Sequence, residues 1–447
     1  MHRTIWCATA LAVAMTTALP ARAQNAELSQ LREELKRLQQ RIEDLERRQA
    51  AQTPARVEKE GARSQGPSAF NPGISLILQG TVARSSLDPE TYEITGFAPS
   101  GGEVAPAPRG FGLGESELFV SGNIDPYFRG QLVAALTPED EVEVEEAYVQ
   151  TLALGHGFTL KGGRFLSGIG YQNEIHQHAW DFQDAPLPYK AFLGGRLNDD
   201  AVQLRWVAPT ELFFELGTEL GRGRAFPDTE RTRNGAASWS LFGHLGGDAG
   251  ADGAWRAGLS YLRAEPRERA FEDADSLGEA VAQSFSGRSR LWIADVVVKW
   301  PKLKLQGEYF VRRERGTLAY DDSAQAAPQF GSPFEGAYAS RQSGWYAQAV
   351  YEFMPRWRAG YRYDRLRHGS VSSALVDDGL GPTTDDLPLL MTAHSPSRST
   401  FMVDWSPTEF SRLRLQLASD RSRAGVTDRQ ALLQYIHSLG AHGAHRF

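Results

Sequence analysis

The sequence predicts an all-β fold, a transmembrane antiparallel β-barrel of about 16 strands, preceded by a short N-terminal α-helical coiled coil. Three observations carry this expectation: a secretory leader, the lack of any later apolar run long enough for a membrane helix, and strand-like segments joined by alternately short and long connections.

Residues 1–23 read as a signal peptide, with His2 and Arg3 at a basic start, an apolar stretch from Ile5 to Leu19, and Ala21-Arg22-Ala23 at its end. Cys7, the one cysteine, lies within this leader, so the secreted chain is expected to carry no disulfide and no thiolate metal site. Removing Arg3 and Arg22 leaves 46 basic against 55 acidic residues, a net charge of −9 that argues against a nucleic-acid partner. Residues 24–50 place Leu28, Leu31, Leu35, Leu38, Ile42 and Leu45 at alternating steps of three and four, the a/d seam of a coiled coil. At about 1.5 Å per residue, positions 27 to 49 would extend roughly 35 Å as a periplasmic rod that associates, although Leu28, Leu35 and Ile42 at one seam position do not select the number of chains. A polar linker bearing Pro and Gly follows over 51–72, and the barrel is expected over 73–447.

Period-two alternation marks sixteen strands, at 74–83, 115–124, 127–136, 142–153, 158–165, 200–208, 211–221, 236–246, 255–263, 289–300, 303–312, 343–353, 356–366, 399–406, 411–420 and 428–447. In one of them Leu212, Phe214, Leu216, Thr218 and Leu220 share a lipid-facing side, while Glu211, Glu215 and Glu219 face the lumen. Trp206, Trp300 and Trp405 each precede a proline turn, as interfacial girdle residues do. Short turns on one side, long loops on the other and an even strand count together describe a bacterial outer-membrane barrel in contact with lipid.

Sixteen strands are wide enough for an aqueous channel, so inward polar residues are the first candidates for function. Alternation points Arg129, Lys161, Arg205, Arg358, Arg362, Arg412 and Arg414 inward, with Glu115, Glu117, Glu211, Glu215, Glu219 and Glu308 on the same face. The long connection 166–199 is expected to fold inward as a constriction, bringing Glu174, His176, His178, Trp180, Asp181 and Asp184 to the narrowest point and favouring cations there. His176 and His178 with Asp181 could also hold a divalent metal, since imidazole and carboxylate suit zinc, nickel or iron. His437, His442 and His445 alternate faces on the last strand and read as structural. No Gly-x-Ser-x-Gly, phosphate-binding Gly-rich or His-Glu-x-x-His signature occurs, so no enzyme and no catalytic residue is expected.

The combination of leader, coiled coil and sixteen-stranded barrel resembles the phosphate-selective porin superfamily. The stretch from Glu174 to Phe182 and the tail from Ser438 to His445 are similar to a proteobacterial group labelled zinc-regulated or siderophore-linked outer-membrane receptors. The first resemblance implies a trimeric porin for passive diffusion of small polar or charged solutes. The second implies metal-related cargo, a metal ion or chelate taken up without a plug domain. A structural or adhesive barrel is the remaining alternative, and no cofactor is implied beyond a metal as cargo or ligand.

Overall fold

Successive side chains of an extended chain point to opposite faces, so each alternating segment offers one face to lipid and one to the lumen once the strands pair. A computed structural model describes residues 72–100, 104–137, 141–232, 234–376 and 381–440. The leader, the coiled coil, the linker up to residue 71, His442, His445 and Phe447 lie outside the described residues.

Eighteen strands form one antiparallel sheet: β1 (Gly73–Ser85), β2 (Gly110–Leu113), β3 (Ser116–Asn123), β4 (Phe128–Leu136), β5 (Val142–Thr151), β6 (Phe158–Leu166), β7 (Asn198–Val207), β8 (Phe213–Gly221), β9 (Ser238–Asp248), β10 (Ala254–Ala264), β11 (Arg269–Ala274), β12 (Ala280–Lys299), β13 (Leu303–Asp321), β14 (Phe334–Met354), β15 (Trp357–Ser373), β16 (Ser397–Thr408), β17 (Ser411–Arg421) and β18 (Asp428–Gly440). Both β2 and β3 pair with β1, and β11 continues β10 along β12, so these strands make sixteen staves. The ring closes where β1 pairs with β18, from Ser75 opposite Gly440 to Ser85 opposite Gln430. Closure leaves no unpaired edge.

The faces follow the sequence alternation. On β8, Leu216 and Leu220 are exposed outward while Glu215 and Glu219 are buried within the barrel. On β13, Leu305 and Tyr309 face out, and Gln306, Glu308 and Arg312 face in. Aromatic rings gather at two levels of the outer wall. Trp357 stacks on Trp405 at 5.7 Å and Trp206 meets Phe214 edge-on at 6.0 Å near the short turns, whereas Trp239, Tyr261 and Trp292 form a row nearer the long loops. The exposed Trp292 in β12 and Trp300 just past its end are eight residues apart, about 26 Å along the strand at roughly 3.3 Å per residue and roughly 20 Å in height at the usual strand tilt of about 40°, comparable with the apolar band of a membrane barrel. Such a belt, flanked by aromatic girdles, makes the fold a transmembrane one.

The wall is uneven in height. Strands β12 to β15 run 17 to 21 residues, far beyond the roughly 9–11 that cross a bilayer, while β3 to β6 have 8 to 10.

The wide aqueous lumen expected from sixteen strands is not what the described residues form. Segments from three long loops turn inward and pack: Ile94 and Phe97 from 86–109, Ile169 to Leu197 from the loop after β6, and Leu387 to Leu390 from the loop after β15. Ile94, Phe97, Tyr189, Phe192 and Leu193 share a buried cluster with inward-facing Phe242, Leu262, Leu291, Ile293, Phe310, Tyr346 and Leu366. The physical reason is that several inward positions of the tall strands are apolar, and apolar surface facing a wet lumen is stabilised by whatever covers it.

Candidate functional site

The site is the loop 167–197, and its ends are clasped before its side chains do anything. Fully buried Asn173 donates through Nδ2 to the carbonyls of Ser167 (2.8 Å) and Leu197 (2.9 Å) and accepts from the Leu197 amide (2.7 Å). Gly170 has φ +69°, and a Cβ there would lie 2.5 Å from the Tyr189 hydroxyl and 2.6 Å from Glu308 Oε2, so a side chain would break the contact between loop and wall. Beyond two single-turn helical segments, Pro186 and Pro188 open the helix Leu187–Leu193, which Gly194 ends in the left-handed region at φ +66°.

From that clasp the loop reaches most of the wall. Glu308 on β13 accepts from the amides of Tyr171 (3.2 Å) and Gln172 (3.0 Å) and from the hydroxyls of Tyr189 (2.9 Å) and Tyr346 (2.5 Å). Ser167 and Gly168 bind Glu219 on β8. Glu174 pairs with Arg205 and lies 3.8 Å from Arg256. Asp181 pairs with Lys304 (2.8 Å) and Arg358 (3.1 Å), and Asp184 with Arg362 (3.2 Å), Arg398 and the ammonium of Lys190 (3.5 Å). The Trp180 carbonyl accepts from Arg412 (3.3 Å) and Arg414 (2.7 Å), and its indole donates to Ile175 O (2.7 Å).

These pairings change the charge expected at the narrow point. Burial pushes the Glu174 carboxyl up, but Arg205 and Arg256 overcome it and hold the group at about 2. Asp181 and Asp184 are likewise held below the usual carboxylate range against the cost of burial, by Lys304 and Arg358 and by Arg398 and Arg362 respectively. All three acids are therefore ionised and matched by at least one cation each, so they do not make an acidic, cation-favouring ring. The side chains that keep partial exposure inside the short-turn half are mostly basic, namely Arg129, Lys161, Lys304, Arg358 and Arg412.

Three further expectations need correction. Glu211 falls in the turn between β7 and β8 and is exposed, because β8 begins at Phe213 and the alternation does not extend into the turn. Arg205, Glu215, Glu308, Arg362 and Arg414 do face inward, but the loop and neighbouring charges cover them: Arg362 is 1% and Arg414 0% exposed. Between this loop, Pro106 and Ala107 of the connection 86–109 and the wall lies a crevice of about 30 Å³, room for water, bounded by Asp184, Arg398, Gln416 and Gln430. Finally, Asp181 is committed to Lys304 and Arg358 and does not join His176 and His178.

The histidines find carboxylates elsewhere. His176 Nδ1 is 3.3 Å from Glu145 Oε2 and 3.5 Å from Glu117 Oε2, its Nε2 is 3.1 Å from Glu146 Oε2, and His178 Nδ1 is 2.9 Å from Glu117 Oε1. Burial disfavours the charged imidazole, yet the three carboxylates raise the His176 pKa well above its usual value. Period two alone hides Glu145, because a register shift in the β4–β5 ladder turns both Glu145 and Glu146 inward.

Fold and site together define a transmembrane β-barrel whose interior is constricted by an inward-folded loop. The chain belongs to the same family as an uncharacterized protein of Aquifex aeolicus (strain VF5), to which it is 31% identical over 435 residues, covering 87% of this chain and 83% of that protein. No family model matches it. Solved structures similar to it include the OmpT loop L8 deletion mutant of Vibrio cholerae (10% identity, 83% of this chain and 100% of that chain, TM-score 0.49) and the outer-membrane channel DcaP of Acinetobacter baumannii (11%, 82% and 97%, 0.48). The anion-selective porin of Comamonas acidovorans is a third (10%, 83% and 99%, TM-score 0.48).

Proposed function

We propose that the protein is an outer-membrane porin that passes small polar or charged solutes by passive diffusion, through a narrow passage limited by the loop 167–197. The observation that carries this reading is the pairing pattern: two acids, Asp181 and Asp404, are shared among four cations, Lys304, Arg358, Arg412 and Arg414, of which Lys304, Arg358 and Arg412 keep partial exposure on the lumen side. A surplus of fixed positive charge between low-dielectric walls raises the local concentration of anions, so the passage favours small anions over cations. The heptad seam at Leu28, Leu31, Leu35, Leu38, Ile42 and Leu45 supplies an apolar face for association through the N-terminal coiled coil, and the resemblance to trimeric porins favours a homotrimer.

Single-channel recording in a planar bilayer under a salt gradient tests the reading. Small discrete steps, closing in groups of three, with a reversal potential displaced toward anions are expected. Folded protein that inserts without conducting would overturn the porin reading, a cation-directed potential would overturn the preference, and steps closing singly would overturn the trimer.

A further inference from the structure

Four carboxylates gather around His176. Glu115, Glu117, Glu145 and Glu146 are each at most 5% exposed. Arg196 supplies one guanidinium, 2.7 Å from Glu115 and in contact with Glu145, and the imidazoles of His176 and His178 reach Glu117, Glu145 and Glu146. Four carboxylates in a water-poor place are stabilised by a positive charge at their centre, which a proton on His176 or a metal ion in its place can supply.

Geometry says where that charge sits. One oxygen each from Glu117 and Glu145 and one ring nitrogen of His176 lie within 4.8 Å of one another. Within it, His176 Nδ1 is 3.3 Å from Glu145 Oε2 and 3.5 Å from Glu117 Oε2, close to the roughly 3.4 Å that separates two ligand atoms each about 2.1 Å from a tetrahedral ion. Glu117 is 0% exposed, and its Oε2, 3.5 Å from His176 Nδ1, accepts no hydrogen bond among the described residues. A buried carboxylate oxygen without a donor is costly unless something cationic completes it. The acidic group at the long-loop end shows the contrast. Asp275, Asp322 and Asp386 are equally buried, but backbone amides and side chains donate to both oxygens of each, which leaves no coordinating position there.

We propose that Glu117, Glu145 and His176 bind a divalent cation of the zinc class, with His178 orienting Glu117 from behind. Carboxylate and imidazole donors without thiolate suit zinc or a neighbouring first-row ion, and solvent would complete the shell from the side where the His176 side chain keeps 13% exposure. The second oxygen of Glu117 is 2.9 Å from His178 Nδ1, the kind of outer-shell hydrogen bond that fixes a ligating group. Phe119 meets both imidazoles edge-on, with centroids at 5.0 and 5.6 Å, and restricts their rotation. Because His176 belongs to the inward loop while Glu117 and Glu145 belong to β3 and β5, an ion here would tie the loop to the short-stranded wall.

The test uses full-length protein purified in detergent, stripped with a chelator and titrated with zinc alone. Saturable binding of one ion per chain in the micromolar range or tighter is expected, lost at least tenfold in Glu117→Gln and in His176→Gln and unchanged in Asp252→Asn, an exposed acid of the turn between β9 and β10. Heat-modifiable gel mobility identifies variants that fold. X-ray absorption of the wild-type zinc complex keeps the question open to refutation even if a variant does not fold, since it should show an oxygen and nitrogen shell containing imidazole. Absence of saturable binding, equal affinity in folded Glu117→Gln, or a shell without imidazole would each overturn the proposal.

Discussion

Lys190 illustrates how a single buried charge makes the loop sensitive to pH. Its ammonium donates to Val104 O at 2.8 Å, sits 3.5 Å from Asp184, and lies over the Tyr92 ring at 5.3 Å, with Arg362, Arg398 and Asp420 also acting on it. Burial pushes its pKa down, Asp184 only partly restores it, and the group settles at about 8 from the usual 10.5. The folded-state value is the lower one, so between those two pH values the unfolded chain binds more protons than the folded chain. Stability from this group therefore rises as pH increases through that window, and the cost of burying the charge is fully felt below pH 8. Replacing Lys190 with Met should remove that slope. Denaturant titrations in detergent at several alkaline pH values would show the wild-type curve rising relative to the variant, and parallel curves would refute the assignment.

At the scale of the strand, the two aromatic levels set where a charge is most costly. Val296 on β12 is 47% exposed and lies midway between Trp292 and Trp300, so Val296→Arg should destabilise the barrel by about 2–4 kcal/mol. Leu216 lies opposite Trp206, at the level of the lower girdle, and Leu216→Arg should cost only about 0–1 kcal/mol. Refolding equilibria in lipid vesicles would compare them, and equal costs would mean that the girdles do not mark the membrane boundaries. The same strands show what the sequence could and could not reveal. Sixteen staves were legible because lipid and water impose opposite demands on alternate residues, as with Leu216 and Glu215. The upward extension of β12 to β15 was not legible, since beyond the membrane the same alternation continues into loop-covered wall. Nor was the choice of partner for Asp181 or His176, which depends on cross-barrel proximity to Lys304 on β13 and Glu145 on β5.

For the whole molecule, the barrel supplies a rigid wall and the loop 167–197 decides what remains open inside it. Two kinds of attachment hold the loop, and they lie in different places. Apolar packing of Tyr189, Phe192 and Leu193 against Phe310, Tyr346 and Leu366 anchors its helical part to the tall side, while Glu174, Asp181 and Asp184 dock on cations from β7, β13, β15 and β16. Neutralising an acid alone leaves buried cations unmatched and would strain the wall, typically by about 3–5 kcal/mol for a broken buried pair. Removing the obstruction cleanly means deleting 174–193, which takes the three acids and the helix together but keeps Gly170 and Asn173 at the clasp. The strand ladders do not depend on those residues, so the barrel should still close and migrate as a folded species. Its conductance should rise several-fold, and losing three ionised acids from beside Arg205, Lys304, Arg358 and Arg398 should move the reversal potential further toward anions. If the truncated barrel folds yet conducts no better than the full-length chain, the narrowest point lies in the segments around Phe97 or Leu387 instead, and the loop after β6 is packing alone.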